Sequence, residues 1–431
     1  MPTFIMETNI KSTRILSILS PPFARVSFLL FLACWAAVTA AHPLPAVAAP
    51  PLPNGPDIQV NASTLGGQRN PQVAVFSDGG FVVVWTLQAV AKGRSVLHAR
   101  SFAADGEPTS GEFLLVNQPG SQSIDAVAAD GNTLLAAWEN TIHAGSAHEV
   151  FVGRFARTGA PLSPPVQVNS PSPYSRYGAY LAVEPNGGFA VSWTAEATPS
   201  SNFLYHTLVD VRRFRSTGAP RGAEILLFEG NAEENEQPVA AGLGIAADGT
   251  ITAAVDDYTD TDYILLYEIA PDGEVTAGPV PGGDADAELE ADFAMAGDGS
   301  FAVAWSNLGA IFGRTFNAAA TAQEGTYFQI NRGGFAPGLP QVVALPGGAF
   351  VALWTNCFND SYASCPDGIY ARAYAADGVA TTADFPINLA TAGAHIATSA
   401  AGNGKGNVVV VWQSTAGPAF IAARLLGTPT P

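Results

Sequence analysis

The chain of 431 residues is 48% hydrophobic and only 13% charged, with 44 glycines and 32 prolines. So small a charged share excludes a disordered chain, and the lack of a Gly-X-Y period excludes collagen; an apolar, turn-rich composition points to an all-β domain with a large core. Residues 1–56 hold three basic residues and one acid, so the rest holds 16 basic against 36 acidic residues, a net charge of −20 that argues against nucleic acid as a partner and leaves cations open.

From the N-terminus, Lys11, Arg14 and Arg25 precede the apolar run Val26 to Ala37 and the small residues Val38-Thr39-Ala40. This order predicts a signal peptide over residues 1–40 and an exported protein, extracellular, periplasmic or on the cell surface. The run is short for a membrane span, so no span is expected in the mature chain. Acylation at Cys34 and an uncleaved anchor are the two other readings; the residues before Cys34 depart from the usual lipoprotein pattern. Residues 41–56, rich in Ala and Pro, read as a stiff linker that packs on nothing.

After the linker one unit recurs. Apolar runs end in tryptophan in DGGFVVVWT (Trp85), DGNTLLAAWE (Trp138), NGGFAVSWT (Trp193), DGSFAVAWS (Trp305), PGGAFVALWT (Trp354) and GKGNVVVVWQ (Trp412), while DGTITAAVD places Val255 at the same point. The spacings are 53, 55, 62, 50, 49 and 58 residues. Each run is followed by a second one, such as VLHARSFAADG or IYARAYAADG, and in most units by a short strand ending in asparagine: FLLVN (Asn117), VQVN (Asn169), FQIN (Asn331) and FPIN (Asn388). With a further run before each glycine turn, this makes four strands per unit, the signature of propeller blades. The predicted fold is all-β, a seven-bladed β-propeller of four-stranded antiparallel blades over residues 57–431. The last unit stops after its third strand, whereas the mature chain opens on an orphan DIQVNAS. Ile58 to Asn61 is therefore predicted to pair outside Phe420 to Leu425 and close the ring.

The repeated DGGFVVVW, ARxF, DG and FxVN segments resemble a bacterial secreted tandem-repeat β-propeller family found in large exported surface proteins. The resemblance covers the chain after the linker and implies an exported surface protein, often associated with calcium. Repeat four departs from it, lacking both the tryptophan and the asparagine.

Residues that recur in every blade are expected to build the blade. The tryptophans read as inter-blade core rather than as a sugar-binding ring. Arg100, Arg154, Arg213, Arg314, Arg372 and Arg424 read as structural; they lie one or two residues before an aromatic in most units and need not share a face. The asparagines read as turn formers. Function is expected where blades differ, in the second-to-third and fourth-to-first connections, which strand alternation gathers on one face. The ligand-contact candidates on that face are Arg69, His143, Tyr174, Arg176, His206, Asn307 and Arg332.

Cys357 and Cys365 are expected to form a disulfide within one loop, as an even pair in an exported chain. Three acidic segments, Glu229 to Glu236, Asp256 to Tyr263 and Asp284 to Asp292, belong to or border repeat four. Asp256, Asp257, Asp260 and Asp262 are the calcium candidates, against the simpler reading of a solvated charge run. Glu139, Glu196 and Asp256 lie just past the second strand of successive blades and would be the carboxylates of a glycan hydrolase or lyase if they converged at the channel mouth. No metal-binding histidine spacing and no nucleophile elbow is present. The expected function is a non-enzymatic binding module, a monomer that captures a surface protein or polysaccharide on that face without a required cofactor, with an exported glycan-acting hydrolase or lyase as the alternative.

Overall fold

Strands form wherever β-branched and aromatic residues run between glycine turns, and the turns are local in cause. Gly79, between the first two strands of the first blade, holds φ 87°, and a Cβ there would stand 2.9 Å from that of Ala104. The computed structural model describes residues 50–427 except 89–93, 143–146, 198–205, 232–235, 259–262, 284–288, 308, 319–326, 333–336, 357–367, 391–392 and 416–419. No family of long helices interrupts the strands: among the described residues the one helical element is a short 3-10 turn, Pro346–Gly348.

The chain opens with β1 (Leu52–Gln59). Blade 1 follows as β2 (Gly67–Val75), β3 (Phe81–Gln88), β4 (Ser95–Phe102) and β5 (Phe113–Val116), and blade 2 as β6 (Ser121–Asp130), β7 (Thr133–Thr141), β8 (Glu149–Ala156) and β9 (Val166–Gln167). Blade 3 comprises β10 (Ser175–Val183), β11 (Phe189–Glu196), β12 (Thr207–Phe214) and β13 (Ile225–Glu229); blade 4 comprises β14 (Gln237–Ile245), β15 (Ile251–Tyr258), β16 (Tyr263–Ile269) and β17 (Val275–Pro281). Blade 5 is β18 (Leu289–Met295), β19 (Phe301–Asn307), β20 (Ala310–Phe316) and β21 (Phe328–Gln329), and blade 6 is β22 (Pro337–Ala344), β23 (Phe350–Asn356), β24 (Ile369–Tyr374) and β25 (Phe385–Pro386). Blade 7 takes β26 (His395–Gly402), β27 (Val408–Ser414) and β28 (Phe420–Gly427), with β1 as its fourth strand in the order β1-β28-β27-β26. The protein is a seven-bladed β-propeller of four-stranded antiparallel blades.

The ring closes as the sequence predicts. Ile58 faces Ala423 and Gln59 faces Ala422, the Val60 amide donates to the Ile421 carbonyl at 2.9 Å, and the Ile421 amide donates to Asn61 Oδ1 at 2.6 Å. The linker expectation needs correction: Leu52, Pro53 and Asn54 already pair with Gly427, Leu426 and Leu425 across an irregularity at Gly55-Pro56, so residues 52–56 belong to the blade. The outermost strand tolerates proline because one of its edges needs no ladder donor.

Hydrophobic clusters sit at the seven seams between blades. Trp85, Trp138, Trp193, Trp305, Trp354 and Trp412 are at most 1% exposed, and each joins such a cluster. At the seam of blades 3 and 4, Val255 stands in the tryptophan position and Leu227, Tyr267 and the partly buried Tyr180 and Phe228 fill the space. Aromatic pairs stack between the second and third strands: Phe81 on Phe102, Phe189 on Phe214, Phe301 on Phe316 and Phe350 on Tyr374, with centroids 4.7 to 4.9 Å apart.

The repeated polar residues tie neighbouring blades. Arg100, Arg212 and Arg372 donate to the carbonyls of Val60, Val168 and Ile330 in the preceding blade, at 2.8, 2.8 and 3.0 Å. Glu112, Glu224 and Asp384 accept backbone N–H groups just beyond those same preceding strands, and Asp57 does so beyond β25. The arginines do fall into two registers. Arg100, Arg314, Arg372 and Arg424 share one, which in blade 3 belongs to Arg212, whereas Arg154 and Arg213 occupy the next position. Arg213 is buried and pairs with buried Glu184 at 2.7 Å while donating to Ala270 and Gly249 carbonyls of blade 4. The asparagines do more than form turns: Asn61, Asn169, Asn331 and Asn388 are buried and accept an N–H from the first or second residue of the adjoining third strand. Such a side chain extends the ladder where the short fourth strand ends.

Candidate functional site

The innermost strands β2, β6, β10, β14, β18, β22 and β26 line the central channel, and each carries a register irregularity near its start. Asn70, Gly178, Glu290 and Leu339 take positive φ there. A bulge re-aims side chains and loosens pairing, and of the residues at these irregularities Asn70, Asp125 and Thr398 stand in the channel wall as polar groups. The cavity at that level has a volume of about 440 Å³, and its wall includes Asn70, Gln72, Asp125, Tyr180, Asp292 and Ser399. Ser399 Oγ donates to Gln72 Oε1 at 3.0 Å, closing the seam of blades 7 and 1.

Two carboxyl groups in that wall have raised pKa values. Burial pushes Asp125 well above the usual range, and the charge of Glu139 beside it and a hydrogen bond to that residue add to the effect, against the Ala179 N–H of blade 3 at 3.4 Å. Glu139 also holds His148 Nδ1 at 2.8 Å, and that contact raises the imidazole pKa against the opposing effect of burial. Glu139 is thus the shared partner of a carboxyl and an imidazole whose pKa values are both raised. Asp292 is pushed up to about 7 by burial, although it accepts the Val342 N–H of blade 6 at 2.6 Å.

Asp292 therefore links stability to pH. With a pKa raised from 3.8 to about 7, the folded state holds a proton that the unfolded chain has lost, so stability is present below the unfolded value and falls as pH rises through the folded one. Asparagine stays neutral throughout. The melting temperature of Asp292→Asn is expected to gain on the native protein between about pH 4 and pH 8; a gap that stays constant across that range defeats the assignment.

None of the three candidate carboxylates is in the wall of that cavity. Glu139 is engaged with Asp125 and His148, Glu196 accepts the Tyr177 hydroxyl at 3.0 Å, and buried Asp256 accepts the Ala291 N–H of blade 5 at 3.3 Å. Of the acidic segments, Asp256 and Asp257 are buried in β15 and Asp292 lines the channel, whereas Glu229 is exposed. Asp256 and Asp257 are consecutive strand residues and point to opposite faces, so the two do not serve one ion together. Asp260 and Asp262 lie outside the described residues, as do His143, Cys357 and Cys365. Among the described residues no group of three or more His, Cys, Asp or Glu is arranged to hold a metal.

Of the loop-face candidates, three are brought together. Tyr174 Oη meets His206 Nδ1 at 3.2 Å, His206 Nε2 meets Glu229 Oε1 at 2.8 Å, and the Arg176 guanidinium lies 5.9 Å from the Tyr174 ring centroid. Arg176 is buried and donates to the carbonyls of Ser172 and Tyr174, so it supports this loop from behind rather than facing a ligand. Arg69 is exposed on β2, Asn307 is half-buried at the end of β19, and exposed Arg332 gives its backbone N–H to Asp384. Asp125 was missed by sequence reasoning although it interrupts an apolar strand in SIDAVAA, which is the one signal it leaves.

No protein-family model matches the chain, and no curated protein matches it. Solved structures do. A Dyadobacter fermentans protein of unknown function is 14% identical, with 86% of this chain and 98% of that chain covered and a TM-score of 0.49. The Hadza microbial sialidase Hz136 is 12% identical, with 77% and 73% covered and a TM-score of 0.46. Prolyl oligopeptidase B from Galerina marginata is 14% identical, with 84% of this chain and 48% of that chain covered and a TM-score of 0.44. Likeness at this level carries no argument about activity.

Proposed function

We propose that the protein is an exported, non-enzymatic binding module that takes a surface protein or polysaccharide on its loop face. The observation that carries this reading is the Tyr174–His206–Glu229 chain, in which the His206 and Glu229 side chains are 35% and 56% exposed. An aromatic body with a polar tip, backed by buried Arg176, is a suitable contact for sugar rings or protein side chains. Inter-blade ties make the scaffold rigid, so the loops it carries are free to differ.

The test is binding of the purified protein to a panel of immobilised polysaccharides and to extracts of the cell surface. Tyr174→Ala and His206→Ala are expected to weaken the captured interaction at least about 10-fold, since contacts of this kind cost more than ~1 kcal/mol when truncated. Unchanged binding in both variants removes the loop-face reading.

A second reading, an exported glycan hydrolase or lyase, is favoured by one observation: Asp125, on the channel wall beside Glu139, has its pKa raised well above the usual carboxylate range, the direction a general acid requires. Release of new reducing ends that Asp125→Asn abolishes would establish this reading in place of the first.

A further inference from the structure

The channel changes character along its length. Toward the loop face lies the cavity of about 440 Å³ with Asp125 and Asp292 in its wall. Toward the turn face it continues, sharing Phe293, Val342, Ala400 and Ala401, into a second cavity of about 360 Å³ walled by Met295, Val343, Leu345 and Pro346. The second wall holds no charged side chain, and neither wall holds Lys, Arg or His among the described residues.

Asp125 comes from blade 2 and Asp292 from blade 5, so the ring sets them on opposite sides of the axis. Each accepts a backbone N–H of the next blade, but hydroxyls suffice for that task elsewhere: Thr86 accepts the Ile124 N–H at 3.1 Å and Thr194 the Ala240 N–H at 2.9 Å. Stitching the seams therefore does not require carboxyls. In the same wall Thr398 Oγ1 is enclosed and meets no partner among the described residues. Asp125 and Asp292 are half-buried with no cationic side chain in the wall among the described residues, and an ammonium ion beside them would favour their ionised forms.

We propose that the channel is a binding site for an alkylammonium ion, its protonated amine at the level of Asp125 and Asp292 and its alkyl chain in the cavity lined by Met295, Val343 and Leu345. An ammonium group supplies three donors for carboxylate, carboxamide and hydroxyl oxygens, all present in the upper wall. An anion finds no cationic partner there, and a hydrated metal ion makes no use of the lower cavity, whose wall holds no charged side chain among the described residues. A combined volume of this order suits a small organic ligand. The amine can arrive free or as a lysine side chain, since the recognising chemistry is the same. The site is separate from the loop-face contact and does not depend on it.

The test is calorimetric titration of the purified protein at low salt with n-hexylammonium as probe, set against methylammonium, 1-hexanol and hexanoate. Hexylammonium is expected to bind at least 10-fold more tightly than each of the three, because only it has both the charge and the chain. Asp292→Asn and Asp125→Asn, which keep shape and an acceptor for the Val342 and Ala179 amides, are each expected to lower that affinity at least 10-fold. Leu345→Gln should erase the preference over methylammonium, and Tyr174→Ala should leave the titration unchanged. N-acetyl-lysine methylamide distinguishes the sources: tighter binding than hexylammonium assigns the site to a presented lysine, weaker binding to a free amine. Absence of hexylammonium binding, equal binding of 1-hexanol, or native affinity in both asparagine variants overturns the proposal. Loss of loop-face binding alone leaves it standing.

Discussion

A chain that begins at Ala62, without β1, is expected to lose the cooperative unfolding of the native propeller. The removed segment contacts three blades at once. Val60 is fully buried in the seam of blades 7 and 1, and its carbonyl accepts Arg100 of blade 1. Asp57 pairs with Arg424 of blade 7 at 2.9 Å and accepts the Leu389 and Ala390 N–H groups of blade 6 at 2.9 and 3.2 Å. Asn61 holds the Ile421 N–H. Burial of one aliphatic side chain is worth ~1.5–3 kcal/mol and each hydrogen bond ~0.5–1.5 kcal/mol. Their loss together reaches the ~5–15 kcal/mol by which folded proteins are stable at all. It also exposes β28 as an open edge, a template for aggregation. Thermal melts and limited proteolysis check this expectation, and a single native-like transition in the shortened chain would refute it. Asp57→Ala, which cuts only the ties of one side chain, should soften blades 6 and 7 without unfolding the ring.

Trp193→Ala is expected to cost ~3–5 kcal/mol, the range for truncating a large buried aromatic. Trp193 is 0% exposed and packs in the seam of blades 2 and 3 among Leu135, Val150, Val168, Phe189 and Phe214. Backbone ladders on both sides of the seam prevent collapse onto the cavity, which places the cost toward the upper part of that range. Urea denaturation reads the effect as a lower midpoint with unchanged slope. Trp193→Phe keeps an aromatic ring and removes an indole N–H that meets no partner among the described residues, so it should cost less. The converse change, Val255→Trp, overfills the seam that Leu227 and Tyr267 already occupy and should destabilise by ~1–3 kcal/mol. A Trp193→Ala protein as stable as the native one would remove the tryptophans from the core of the argument for a packed ring.

The blade count and the ring closure were written in the sequence because both rest on local chemistry that repeats. Tryptophan at a fixed strand position, a glycine at positive φ before it and the FxVN ending each act within one blade or on its neighbour, so seven copies are visible as a period. Asn61, ahead of β2, shows the closure for the same reason: it carries the fourth-strand ending without the three strands that precede it elsewhere.

What decides the channel is not local. Asp125 and Asp292 are ordinary acids in sequence, one in an apolar strand and one at the end of an acidic run, and their positions in their units are not marked by any repeated residue. They become a pair only because blades 2 and 5 face each other across the axis, and burial there raises both pKa values. Glu139, Glu196 and Asp256 each take a partner at their own seam or strand, which their places in the repeat do not disclose. Sequence alone determined the fold, through short-range patterns repeated seven times; tertiary structure alone decided which side chains share a cavity, because that depends on closing the ring and on the desolvation that closure imposes.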